Sequence, residues 1–182
     1  FMKFISTLLA IAFAATATFA QQAQKEAPAP ELMKDASGNP MKMDFSLPLS
    51  GISDPGMLFS HFSGKGLLIF YFSPKCPHCQ AHFPPIQSLI KSYEPRGLTG
   101  MGISIGGSIK KNDVRLFMDQ LNASIPIFQD GSTKFGPEYG TGYVPVVFVV
   151  NKNGTFYRFP DLSDAHMDQL KALLDKMYPA KK

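Results

Sequence analysis

The chain has 182 residues, of which 45% are hydrophobic and 12% aromatic, with 15 glycines and 15 prolines. This length and composition predict one globular domain with its own core and exclude a low-complexity chain. The formal net charge of +4 is mild and no basic run stands out beyond Lys181-Lys182, which argues against nucleic acid as a partner.

Residues 1–20 have the pattern of an export signal. Lys3 precedes a short apolar stretch, Phe4 to Phe19, and Thr18-Phe19-Ala20 places small residues where a signal peptidase reads them. We therefore expect a signal peptide that is cleaved after Ala20. Cleavage after Ala15-Thr16-Ala17 and an uncleaved membrane anchor are the alternatives. The expected location is the periplasm or another exported compartment, where a cysteine pair forms a structural disulfide or does redox chemistry.

The segments after the signal begin with a spacer. Residues 21–43 are rich in Ala, Gln, Pro, Lys and Glu, which predicts a flexible linker ahead of a domain over residues 44–180. The apolar run Gly64 to Ser73 predicts a buried strand. Ala81 to Tyr93 has the apolar spacing of a helix, which Pro84-Pro85 should kink or restart.

The second half of the domain alternates in the same way. Leu98 to Gly106 predicts a strand, Lys111 to Leu121 an amphipathic helix, and Ile125 to Phe128 a short edge strand. Val144 to Phe159 predicts two strands around an Asn-Lys-Asn-Gly turn, and Ser163 to Tyr178 predicts an amphipathic helix with Ser163 as its N-cap. This order predicts an α/β fold with a central mixed sheet flanked by helices.

Both cysteines lie in SPKCPHCQ, residues 73–80, between the predicted strand and helix. A helix N-terminus carries partial positive charge, which favours a thiolate at Cys76. We therefore predict that Cys76 is the nucleophile. Cys79 lies one helical turn further on, where it can resolve a mixed disulfide by attacking Cys76.

Three neighbours are predicted to modulate this pair. Pro77 suits a first helical turn, since the N–H it lacks would have had no partner there. Lys75 and His78 flank Cys76 with one permanent and one potential positive charge. Both charges should favour the thiolate of Cys76 and thereby make the disulfide more oxidising.

Other uses of the cysteine pair are less well supported. A disulfide as a structural staple would close a very short loop, which removes little entropy from the unfolded chain. A c-type haem needs histidine where Gln80 stands. A zinc set of both cysteines with His82 and His61 lacks the usual ligand spacing, whereas Cu(I) on the two thiolates is chemically possible. We predict no resident metal and no cofactor.

Val144-Pro145 directly precedes a predicted apolar strand. Proline is tolerated at the first residue of a strand, and a cis X–Pro bond turns the chain sharply. If this strand packs beside the cysteine loop, the backbone of Val144 can pair with an extended substrate segment and hold its cysteine against Cys76. A trans proline that merely starts the strand is the alternative.

These motifs together resemble a known family. The strand-CPHC-helix unit, Phe83-Pro84 and GYVPVVFVVNKNG are similar to the thioredoxin-fold thiol–disulfide oxidoreductases of the bacterial envelope, most closely the TlpA-like group related to peroxiredoxins. The resemblance covers Asp44 to Tyr178. It implies a thioredoxin-like fold with a TlpA/peroxiredoxin-type insertion between Cys76 and Pro145, a cis bond at Pro145, and attack by the first cysteine.

The chain departs from the TlpA-like pattern at two positions. Lys75 stands where the group usually has Trp, and His82 stands where an acidic residue is usual. The Pro77-His78 dipeptide and the valine before Pro145 instead resemble DsbA-type oxidases, although their large helical insert is absent. His82 therefore either takes over as the base for Cys79 or only covers the helix surface.

The leading hypothesis is an exported enzyme that exchanges disulfides with protein thiols and disulfides, together with a membrane redox partner. The positive charges near Cys76 favour an oxidase or isomerase, and the family resemblance favours a reductase. The alternative is a copper metallochaperone that uses the same two cysteines. A peroxidase is the third hypothesis, but it requires Thr two or three positions before the nucleophile, where Pro74 and Ser73 stand.

Overall fold

The structure is a computed structural model that describes residues 30–180. Within that range six strands and four α-helices follow one another. They are β1 (Ser50–Gly51), β2 (Gly66–Phe72), α1 (Pro77–Tyr93), β3 (Leu98–Ser104), α2 (Lys111–Gln120), β4 (Ile127–Gln129), α3 (Phe135–Tyr139), β5 (Val146–Val150), β6 (Phe156–Phe159) and α4 (Asp164–Met177). Short 3-10 helices cover Phe59–Phe62 and Glu94–Arg96.

The strands form a single sheet in the order β1-β4-β3-β2-β5-β6. The neighbours β2, β3 and β4 run parallel, whereas β5, β6 and β1 each run antiparallel to their partners. In this register Tyr71, near the end of β2, faces Val146 at the start of β5. The carboxyl end of β2 and the beginning of β5 therefore lie at the same edge of the sheet.

Strand β2 is buried along its whole length and divides the core into two layers. Because side chains alternate across a strand, one set contacts the layer that holds α1, α2 and α4, and the other contacts the layer that holds α3 and the first 3-10 helix. The two sets are Leu68, Phe70 and Phe72, and Leu67, Ile69 and Tyr71. The expected α/β fold with a mixed central sheet is confirmed.

Helix α1 continues through Pro84-Pro85, so the expected restart there is wrong, whereas the expected kink stays a prediction. Two prolines remove the hydrogen bonds to the carbonyls of Gln80 and Ala81. Both of those residues are exposed, so water can bond their carbonyls. The buried side of the helix, which includes Phe83, keeps it packed against the sheet.

Two further elements differ from the prediction. The segment Ile125 to Phe128 was expected at an edge, but β4 has neighbours on both sides, since β1 pairs with it through Ser50 and Gly51. Helix α3 lies in a stretch with several glycines and a proline that carries no apolar periodicity. Asp130 stabilises its start by accepting hydrogen bonds from the backbone N–H groups of Phe135 and Gly136, at 2.9 and 3.3 Å.

The packed domain begins earlier than the expected boundary at residue 44. The backbone N–H of Met33 donates to the carbonyl of Phe156 at 2.9 Å, and that of Met43 donates to the carbonyl of Gly154 at 2.9 Å. Met43 is buried, so apolar side chains and backbone bonds hold this segment against β6. The expected signal peptide and residues 21–29 of the expected linker lie outside the described residues. None of the helices within residues 30–180 is long and apolar enough to cross a membrane.

Candidate active site

Cys76 lies at the junction between β2 and α1, as its N-cap residue. Its N–H donates to the carbonyl of Ser73 at 3.1 Å, which closes a turn after the strand. Its carbonyl accepts the N–H of Gln80 at 3.0 Å, the first bond of the helix. The thiol of Cys76 therefore lies at the end of α1 where unpaired N–H groups produce a positive potential.

Gln80 holds this junction in place with its side chain. Its Nε2 donates to the carbonyl of Pro74 at 2.8 Å, which connects the first turn of α1 to the loop before the nucleophile. Pro77 occupies the first helical position and is exposed. The loop geometry around Cys76 is thus set by a backbone turn, a proline and one glutamine side chain.

The two cysteine sulfurs differ in exposure. Both are free thiols; Cys76 is half-buried, whereas Cys79 is completely buried. Burial strongly raises the pKa of the Cys79 thiol, and the neighbouring Cys76 sulfur raises it further through a hydrogen bond and its charge, against the opposing backbone hydrogen bond from Ser73. A reagent in solution can reach Cys76, and Cys79 stays protonated and covered beneath it.

The backbone at Val144 lies beside Cys76. The Val144–Pro145 peptide bond is cis, as the family resemblance implies. The Sγ of Cys76 donates to the carbonyl of Val144 at 3.8 Å, across 68 positions of sequence. This contact follows from the pairing of β2 with β5, which brings the start of β5 to the carboxyl end of β2.

The two charged neighbours of Cys76 lie at the exposed rim of the site. The Nζ of Lys75 is 3.2 Å from Oδ2 of Asp113 in the first turn of α2, and the Lys75 side chain is 61% exposed. His78 is exposed on the first turn of α1. The Lys75 ammonium therefore has a carboxylate partner, which offsets the effect of its charge on the Cys76 thiolate.

The structure does not bring the four candidate zinc ligands, the two cysteines with His61 and His82, into one group. His82 is half-buried on α1. His61 lies in the 3-10 helix that precedes β2, so a whole strand separates it from the cysteines. Within residues 30–180 no group of three or more His, Cys, Asp or Glu side chains could hold a metal ion.

Three residues that hold the cysteine loop or the segment leading to Val144 were missed in the sequence: Gln80, Asp113 and Arg158. Gln80 could have been suspected, since it lies four positions after Cys76 at helical spacing. Asp113 contacts the cysteine loop from another helix, and Arg158 on β6 donates to the carbonyls of α3 at its end. No sequence pattern marks such contacts, because they depend on how the helices and strands pack.

Comparison with known proteins gives a family and close relatives. The model of the AhpC/TSA family matches residues 38–158. A thiol–disulfide oxidoreductase, ResA from Geobacillus thermodenitrificans, is 26% identical over 93 residues, which cover 51% of this chain and 52% of that protein. The chain spans between 52% and 61% of the length of the first curated relatives that it matches.

Solved structures share the fold. A thiol–disulfide isomerase from Corynebacterium glutamicum has a TM-score of 0.64 at 15% identity, over 79% of this chain and 99% of that one. Peroxiredoxin Q from Xanthomonas campestris has a TM-score of 0.59 at 18% identity, over 72% of this chain and 91% of that one. The same fold thus carries disulfide exchange in one relative and a peroxiredoxin in another, so the choice between these chemistries depends on the site residues.

Proposed function

The chain belongs to the AhpC/TSA family and has its thioredoxin-like fold, and from this premise we propose that it is a thiol–disulfide oxidoreductase of proteins. Cys76 is the proposed nucleophile and Cys79 the proposed resolving cysteine. One observation carries the proposal: the half-buried sulfur of Cys76, at a helix N-terminus and in contact with the carbonyl of Val144, neighbours the sulfur of Cys79, which is fully buried.

The proposed first step forms a mixed disulfide. The Cys76 thiolate attacks one sulfur of a substrate disulfide, the substrate S–S bond breaks, and the departing substrate thiolate takes up a proton. The backbone before Pro145 lies beside Cys76, where it can pair with the substrate segment that carries the attacked sulfur. Cys76 is then uncharged, joined to the substrate.

The proposed second step releases the substrate. The charge and hydrogen bond of Cys76, two of the causes that raise the pKa of Cys79, end once Cys76 is in a mixed disulfide. The Cys79 thiol then attacks the Cys76 sulfur and passes its proton to the second substrate thiolate, which leaves as the Cys76–Cys79 disulfide closes. Burial, the largest cause of the raised pKa of Cys79, persists through this step. The substrate gains two electrons and this protein loses them; substrate oxidation runs through the same steps in reverse.

One observation favours the reducing direction. Asp113 pairs with Lys75, which offsets one of the two charges that would otherwise make the disulfide strongly oxidising. The reduction potential of the cysteine couple tests the direction. A value near about −270 mV, as in thioredoxin, supports a reductant, and a value near about −120 mV, as in DsbA, supports an oxidant.

The chemistry itself is tested by trapping. Cys79→Ala should form a stable adduct through Cys76 with insulin whose disulfides are intact. Mass spectrometry would show the adduct as a mass increase that dithiothreitol removes. Cys76→Ala is the matched control and should form none. The proposal fails if the wild-type protein reduces insulin while Cys79→Ala forms no adduct, or if the wild-type protein consumes hydrogen peroxide rapidly and leaves insulin disulfides intact.

We also propose that the protein is exported and receives its electrons from a membrane redox partner. The pattern of residues 1–20 supports export, and the packing of residues from Met33 onward limits any spacer to the residues before it. N-terminal sequencing of the protein recovered from the cell envelope tests the export and the cleavage site. A mature chain that begins at Gln21 is expected, and recovery of the uncleaved chain from the cytosol would contradict it.

A further inference from the structure

The loop between α3 and β5 exposes a tyrosine one residue before the carbonyl that the Cys76 sulfur contacts. Tyr143 is 80% exposed, against 52% for Leu58 and 50% for Leu116, the other large apolar side chains that are exposed within residues 30–180. Its chain neighbour Val144 accepts the hydrogen bond from Cys76. The most exposed large hydrophobic side chain of the described residues therefore stands one residue from the contact between Cys76 and Val144.

The backbone that carries this ring is held in place although the ring itself is not packed. Nη1 of Arg158, on β6, donates to the carbonyls of Tyr139 and Gly140, at 2.9 and 3.0 Å. Closer to the ring, Oγ1 of Thr141 accepts the N–H of Tyr143 at 3.3 Å and donates to its carbonyl at 3.4 Å. Because the loop is already ordered, a partner that contacts the ring would bind with little loss of conformational entropy in the loop.

Single exposed apolar side chains are common on protein surfaces and need no special role. Position distinguishes Tyr143 from Leu58. Leu58 precedes β2, and Cys76 follows it, so Leu58 lies at the opposite end of a strand of seven residues. Tyr143 instead adjoins the backbone along which a bound polypeptide would extend.

We propose that Tyr143 is a specificity-determining residue that selects extended polypeptides with an apolar side chain two residues from the cysteine that reacts with Cys76. This inference rests on the proposed function. In an extended segment the side chains at positions i and i+2 point to the same side, about 7 Å apart. When the cysteine of the bound segment points at Cys76, the side chain two residues from that cysteine points to the same side. There the ring of Tyr143 covers this apolar side chain. Aromatic rings with a polar tip suit such half-exposed contacts.

The test uses two disulfide-linked peptides of equal length that differ only in Leu or Ser two residues from the cysteine. We expect the wild-type protein to exchange about tenfold faster with the Leu peptide. Tyr143→Ser should abolish most of that preference, leaving the Ser peptide, glutathione disulfide and the reduction potential unchanged. Tyr143→Phe should keep the preference, and Leu58→Ser is the matched control that removes an exposed apolar side chain elsewhere.

The outcomes separate this inference from the proposed function. If the wild-type protein exchanges with neither peptide, the proposed function fails. If it exchanges with both peptides equally well, or if Tyr143→Ser keeps the full preference, only the role of Tyr143 fails. A uniform loss of rate in Tyr143→Ser toward both peptides and glutathione disulfide would also overturn it, since that pattern indicates a disturbed loop. If Tyr143→Ser does not fold, Tyr143→Thr takes its place, and equal wild-type rates toward the two peptides overturn the role of Tyr143 without any variant.

Discussion

Burial of Cys79 makes the reduced protein sensitive to alkaline pH. Because the folded protein raises the pKa of this thiol far above its ordinary value of 9.0, the folded state keeps a proton that the unfolded state releases. The resulting stability is fully present below pH 9, and it is lost as the pH rises above 9 toward the folded pKa.

The size of the effect follows from the ordinary pKa alone. At pH 8 about a tenth of the unfolded Cys79 thiols are ionised, and at pH 10 about nine tenths are, while the folded thiol stays protonated at both. The folding equilibrium constant should therefore fall about tenfold between pH 8 and pH 10, or about 1.4 kcal/mol. Solvent does not screen this effect, because Cys79 is completely buried.

Urea denaturation of the reduced protein at the two pH values measures this loss. Cys79→Ala is the control, and the difference between the two proteins isolates the thiol. Tyr71 and Tyr93, whose pKa values burial raises to about 12, are present in both proteins and cancel. Equal pH dependence in the wild-type protein and Cys79→Ala would refute the reasoning, because it would mean that Cys79 ionises as easily folded as unfolded.

Three other predictions concern reactivity. Iodoacetamide should label Cys76 alone in the native reduced protein and also Cys79 after unfolding, as mass spectrometry would show; equal native labelling would contradict the buried position of Cys79. Asp113→Asn should make the reduction potential less negative by on the order of 10 mV, since it frees the Lys75 ammonium, and the shift should vanish in a Lys75→Ala background. Arg158→Ala should lower the free energy of unfolding by about 2 kcal/mol, because two carbonyls lose a charged donor. It should also slow peptide exchange, while the rate of Cys76 alkylation stays within about twofold of the wild-type rate. An equal loss in both rates would show a general defect.

Much of the fold could be predicted because its signals are local. The apolar run of β2 and the helical spacing of α2 and α4 are visible in short windows, and the structure confirms them within a few residues. Strand β1 could not be predicted, since its two residues pair with β4 only because that strand lies beside them. Helix α3 also depends on a side chain outside it, the buried Asp130 at its start.

The candidate site divides in the same way. The spacing of Cys76 and Cys79 and their place before a helix are properties of eight consecutive residues, so the sequence predicts the pair directly. Lys75 could be predicted as a neighbour of Cys76, but its pairing with Asp113 could not. The contact with Asp113 offsets the effect of the Lys75 charge on Cys76, and this contact depends on the packing of α2.

By itself the sequence determined that two cysteines stand at the start of a helix after a buried strand. Helix termini and strand periodicity depend on residues that are adjacent in the chain, so a short segment is enough to predict them. Only the tertiary structure decided that Val144 reaches Cys76 and that Cys79 is covered. The register of β2 and β5 and the packing of α1 on the sheet set both features. Contacts between residues far apart in the chain depend on the energy of the whole packed core, which no short segment specifies.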